Sequence, residues 1–87
     1  MKVEAKKKFI RIFEKRFRSD RALQKKFKER TVMFEANSSN PFLHDHPLTG
    51  DKVGFRAFSI TGDIRVIYIV ENGIAYFLDI GTHNQIY

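Results

Sequence analysis

The hydrophobic period changes once along the 87-residue chain, and that change restricts the fold more than any other feature. In residues 1–35 the apolar side chains recur at helical spacing. Phe9, Ile12, Phe13 and Phe17 form one stripe; Leu23, Phe27 and Phe34 form a second, with Thr31 on it. Ser19 or Asp20 stands where the second helix needs an N-cap. The spacing predicts two helices folded as a hairpin, after a short strand near Val3. From Phe55 the period is two, in "FRAFSI", "DIRVIYIV" and "IAYFLDI". Asn72-Gly73 joins the last two runs, and both residues accept the positive φ of a two-residue hairpin turn. Between the halves, "NSSNP" reads as a loop and "FLHDHPLTGDKVG" as irregular chain. Helices followed by strands predict a single α+β domain over residues 1–87. Its helical hairpin packs on one face of a small twisted, mainly antiparallel sheet.

The strand "DIRVIYIV" poses the functional question. Alternation puts Asp63, Arg65, Ile67 and Ile69 on one face and Ile64, Val66, Tyr68 and Val70 on the other. Both faces are mostly apolar, so the strand is central and covered twice. The hairpin can cover one face only; tail, loop or partner must cover the other. An arginine in such a strand needs a partner or a ligand. On the preceding strand Arg56 shares a face with Phe58 and Ile60, and the turn can bring it beside Arg65, although alternation does not fix the register. Two guanidinium groups side by side would clamp a phosphate. The other reading is an ion pair of Arg65 with Asp63 or Asp79. Residue chemistry leaves both open.

Charge is unevenly placed. Residues 1–30 hold thirteen of the sixteen lysines and arginines and carry a net +9, against −3 for residues 31–87. A basic half on so small a chain suggests a polyanionic partner. There is no cysteine, which removes disulfides, Cys-based zinc sites and thiol nucleophiles, and agrees with a reducing, cytoplasmic setting. No run approaches the length of a membrane span, and the charged N-terminus lacks the apolar core of a secretory signal. The three histidines, His44, His46 and His83, lie outside the regular elements and can serve as proton donors or acceptors. His-x-His with a distant third histidine has the residue types of a zinc triad, but loop spacing constrains it weakly, and no metal site is expected. Residues 83–87 lie beyond the last strand. Such a tail is expected to add chemistry rather than core.

The order basic helical hairpin, "HPLTG", "GFRAFSITGDIRVIYIV", "LDIGTHNQIY" strongly resembles the RelE/YafQ superfamily of bacterial type II toxin–antitoxin toxins, over essentially the whole chain and most sharply from His46 to Tyr87. The resemblance implies a RelE-like fold. It implies a ribosome-dependent endoribonuclease that cuts mRNA by attack of a 2′-hydroxyl on the adjacent phosphate, with no metal or other cofactor. It also implies a cognate antitoxin that blocks the toxin, and contact with operator DNA only through that antitoxin. Carried over by position, the catalytic set is His46, Asp63, Arg65, His83 and Tyr87, with Arg56 as a phosphate binder; Lys52 is a further candidate for phosphate binding. Arg65 and Arg56 would hold the scissile phosphate, and His83 would protonate the leaving 5′-oxygen. His46 or Asp63 would accept the 2′-hydroxyl proton, and Tyr87 would stack on a base. Phe58 and Ser59 stand where relatives carry a lysine and a histidine, so the site is a hybrid with fewer basic groups. Two alternatives share the resemblance: a ParE-like toxin that poisons DNA gyrase without nuclease activity, and a catalytically degenerate binding module.

Overall fold

The structure, a computed structural model, describes residues 1–87. Strand β1 (Lys2–Ala5) leads into helix α1 (Lys7–Phe17) and helix α2 (Arg21–Ala36). Asp20 is the N-cap of α2, its carboxylate accepting from the Leu23 amide at 3.0 Å. Strands β2 (His46–Pro47), β3 (Arg56–Ser59), β4 (Ile64–Glu71) and β5 (Ile74–Thr82) follow, and helix α3 (His83–Ile86) ends the chain. The α+β class and the helical hairpin are as the periodicity predicts: Phe9 and Phe13 of α1 both meet the Phe27 ring of α2, at 5.8 and 4.9 Å between centroids.

The sheet is larger than the three-stranded meander the alternation reveals. It has five strands in the order β1-β5-β4-β3-β2, antiparallel except where β1 runs parallel to β5. Two-residue β2 forms inside the segment read as irregular, pairing His46 with Ala57 and Pro47 with Arg56. A strand this short carries no period, so only its pairing exposes it. Asn72 and Gly73 make the β4–β5 turn at φ of 52° and 78°, as their chemistry predicts.

Beyond Phe77, β5 has no strand on its outer side, because β1 pairs only with Ile74–Phe77. Arg16 of α1 closes that edge, donating to the Ile80 carbonyl at 2.6 Å and pairing with Asp79 at 3.3 Å. The main core lies between the helices and one sheet face. Phe34, Phe58, Val66, Tyr68, Phe77 and Ile80 are all essentially inaccessible there. Phe34 stacks on Phe58 with ring centroids 4.6 Å apart.

The other face has its own small core, built from Leu48, Ala57, Ile67 and Ile86 with Phe55 against it. Loop and tail therefore supply the second cover that a two-sided β4 requires. The tail is a correction to the sequence reading: α3 seats Ile86 at 4% exposure, so it packs as well as presenting chemistry.

Candidate active site

Ladder pairing assigns each side chain to a face, since residues directly opposite share one. Ser59, Arg65 and Gly81 form one such row, and Ala57, Ile67 and Asp79 the next. His46, opposite Ala57, joins the same face. Arg56 pairs with Tyr68 instead, which belongs to the helix-side core. Arg56 and Arg65 are therefore on opposite faces of the sheet, and the expected two-arginine clamp does not form. The separation of nine residues through a short turn sets that parity, which alternation alone leaves undetermined.

On the Arg65 face a cleft of about 510 Å³ gathers His46, Lys52, Arg65, His83 and Tyr87, with Asp51 at its wall. Five of the seven positions expected from sequence thus converge although they come from β2, a loop turn, β4 and α3. Asp63 is exposed in the turn before β4 and does not line the cleft; it departs from expectation together with Arg56. The only side-chain carboxylate lining the cleft is Asp51.

The Arg65 side chain is half-buried and forms no ion pair or hydrogen bond within the chain. Asp79, one suggested partner, is taken by Arg16. The guanidinium fork is left with its donors directed to whatever enters the cleft. Its β5 neighbour is glycine for a reason visible in the packing: a Cβ on Gly81 would lie 2.7 Å from both the Arg16 guanidinium and the Gln85 amide oxygen. Any side chain there would displace the Arg16 guanidinium and the Gln85 amide from the bonds they make to Ile80 and Thr82.

Helix α3 presents the C-terminal pair. Thr82 accepts from the Gln85 amide while the Gln85 side chain accepts from the Thr82 amide, a reciprocal cap that fixes one helical turn. His83 and Tyr87, one turn apart, then bring their rings to 4.6 Å. On the opposite wall, His46 Nδ1 lies 2.8 Å from the His44 carbonyl oxygen. A carbonyl only accepts, so Nδ1 carries the hydrogen, and Nε2 of the neutral ring is left as the proton acceptor.

Residue-type arguments missed what holds that wall in place. Asp45, between the two histidines, has a side chain only 10% exposed. It accepts from the Tyr68 hydroxyl at 2.6 Å and from Arg56 at 3.0 and 3.2 Å. Burial, then the bond to Asp45, pushes the Tyr68 phenol above its ordinary range, and the same carboxylate raises Arg56. Arg56 is thus a buttress under the His44–His46 segment. Its only sequence signal was a lone charge beside core phenylalanine, the same signal that Arg65 gives. No three His, Asp or Glu side chains converge as a metal-ligand group, and His44 lies outside the cleft.

Comparison with known proteins bears on the family and the fold. The family model described as the bacterial toxin of a type II toxin–antitoxin system, YafQ, matches residues 1–87. Among solved structures, YafQ from E. coli strain BL21(DE3) superposes with a TM-score of 0.76 at 20% identity, over 98% of this chain and 96% of that one. The E. coli DinJ–YafQ complex gives 0.69 at 22% identity, over 98% and 96%. A copper-bound mutant toxin from Helicobacter pylori gives 0.75 at 24% identity, over 100% and 99%. At these identities the likeness is one of fold. No curated protein sequence matches.

Proposed function

The chain belongs to the YafQ family of bacterial type II toxin–antitoxin toxins, and from that premise we propose that it is a ribosome-dependent endoribonuclease that cleaves mRNA. The observation that carries the proposal is Arg65. It is a guanidinium with no ion-pair partner, in a cleft with two histidines, a lysine, an exposed tyrosine and the carboxylate of Asp51. Such a set suits one reaction closely. Arg65 and Lys52 bind the scissile phosphate and the charge that grows on its oxygens, and preorganised donors of this kind are often the largest catalytic term. His46 Nε2 takes the proton of the 2′-hydroxyl as that oxygen attacks phosphorus. His83, in its protonated form, gives a proton to the 5′-oxygen as the P–O bond breaks, leaving a cyclic phosphate. Tyr87 offers its ring to an unstacked base.

Arg56 and Asp63 have no part in these steps; the buttress role of Arg56 replaces its expected phosphate contact. The E. coli relative is solved with DinJ, and here too a cognate antitoxin is the partner that would cover the cleft and neutralise Arg65.

Brief induction in cells followed by mapping of mRNA 5′ ends tests the reading. Wild type should produce codon-phased cuts within translated regions. Arg65→Ala should remain folded and lose about 10²–10³ in cleavage rate. Growth arrest with intact mRNA and gyrase-linked DNA breaks would overturn the proposal.

A further inference from the structure

Arg65 stands where two clefts meet. Besides the cleft with His83 and Tyr87, a second of about 630 Å³ is lined by Lys26, Arg30, Phe42 and His44 and shares His46 and Arg65 with the first. It is of ligand size and contains no carboxylate, so its cations are uncompensated. Phe42 is the unusual member. The ring is 67% exposed, yet its backbone is tightly held. It sits in the 3₁₀ turn Pro41–Leu43, its amide bonded to the Asn40 side chain at 3.0 Å, and the adjoining Leu43 is fully buried. The Arg30 guanidinium lies 5.7 Å from the ring centroid. A rigid, open aromatic ring among cations is how proteins hold single-stranded nucleic acid: the ring takes a base and the cations take phosphates.

We infer that the second cleft binds the nucleotide on the 5′ side of the cleaved bond, its base stacked on Phe42 and its own 5′-phosphate held by Lys26 and Arg30. The inference rests on the ribonuclease reading, and the polarity follows from it. His83 protonates the leaving 5′-oxygen, so the nucleotide 3′ to the bond lies in the first cleft with His83 and Tyr87. The strand passes Arg65 at the scissile phosphate and leaves by the other cleft. The nucleotide there carries the attacking 2′-hydroxyl. His46, which lines both clefts, stands at that hydroxyl.

The test uses ribosomes programmed with an mRNA whose cleaved bond has been mapped with the wild-type protein, and two further mRNAs with an abasic nucleotide immediately 5′ or 3′ of that bond. Phe42→Ala, at an exposed ring, should melt like wild type and lower kcat/KM on the ordinary mRNA about tenfold. Phe42→Tyr should restore it. On the 5′-abasic mRNA wild type should lose the same factor and Phe42→Ala should add nothing; on the 3′-abasic mRNA the full Phe42 dependence should remain. A Phe42→Ala defect undiminished on the 5′-abasic mRNA, or no defect on any mRNA, overturns the subsite and leaves the ribonuclease reading standing. Unchanged cleavage with weakened inhibition by the antitoxin also overturns it and assigns the ring to a protein interface. No cleavage of any mRNA by wild type removes the ribonuclease reading and the subsite with it.

Discussion

Arg65 and Arg56 show how one residue type can carry opposite meanings in neighbouring strands. Each strand of the pair has one arginine, yet only Arg65 is free; Arg56 is bound to Asp45 and to the Tyr68 hydroxyl. The phenol completes the bond set of a nearly buried carboxylate, so Tyr68→Phe should cost about 1.5–3 kcal/mol at neutral pH. The pH dependence has a definite sign. Tyr68 is held neutral in the folded protein well above the pH at which an unfolded tyrosine ionises. From about pH 10 upward the unfolded chain releases that proton first, and wild-type stability falls by up to about 1.4 kcal/mol per pH unit from this group alone. The phenylalanine variant has no such loss. Urea unfolding from about pH 8 to about pH 11 should therefore show the two stabilities converging. A constant gap across that range would mean that burial and the bond to Asp45 do not hold the phenol neutral. None of this was legible from the residues. Asp45 lies in a polar loop between two histidines, and nothing in its neighbourhood predicts burial.

At the scale of elements, the helices and the two long hairpin strands were legible because each repeats a period over many residues. What escaped were pieces without a period: β2, two residues long, and α3, a single turn. A second obstacle was parity. The β4–β5 ladder slips between Ile67 and Tyr68, pairing Ile67 with Asp79 but Tyr68 with Phe77 and leaving Leu78 extra. Phe77 and Ile80 both reach the core although they are three apart. Alternation cannot anticipate that, nor that Arg56 and Arg65 part company. The tail gives the sharpest test at this scale, because α3 both packs and presents two site residues. Ile86→Ala removes the buried anchor and should cost about 2–4 kcal/mol, the range of large-to-small core changes, while slowing cleavage through displacement of His83 and Tyr87. His83→Gln keeps the helix and its cap, since the cap uses Thr82 and Gln85. Stability should hold while single-turnover cleavage at saturating ribosome falls about 10²-fold or more. If His83→Gln cleaves at the wild-type rate, proton transfer to the 5′-oxygen belongs to another group.

Across the whole molecule, charge and chemistry are divided between the two sides of the sheet. The helices carry most of the positive charge, and outside the second cleft their exposed lysines and arginines, such as Lys15, Arg18, Lys25 and Lys28, are far in sequence from the cleft residues. This division was legible from charge counting alone, since helical stripes leave the basic residues on the outer surface. It separates two contributions that a single activity measurement would merge. In the proposed function, cations on the helix surface bring the protein to a polyphosphate and release counterions, so their effect falls steeply with salt. In the proposed reaction Arg65, Lys52, His46 and His83 act on one phosphate inside a cleft, where salt screens little. Replacing Lys15, Arg18, Lys25 and Lys28 by glutamine together should therefore weaken ribosome binding and flatten its salt dependence. If all four engage phosphates, the slope of log K against log salt should become shallower by about 3–4. Single-turnover cleavage at saturating ribosome should stay at the wild-type rate, because no group that touches the reacting phosphate has changed. Equilibrium binding at several salt concentrations, paired with single-turnover rates, checks both halves. An unchanged salt slope would place the docking surface elsewhere on the molecule, and a fallen cleavage rate would mean that the helices also set the geometry of the bound mRNA.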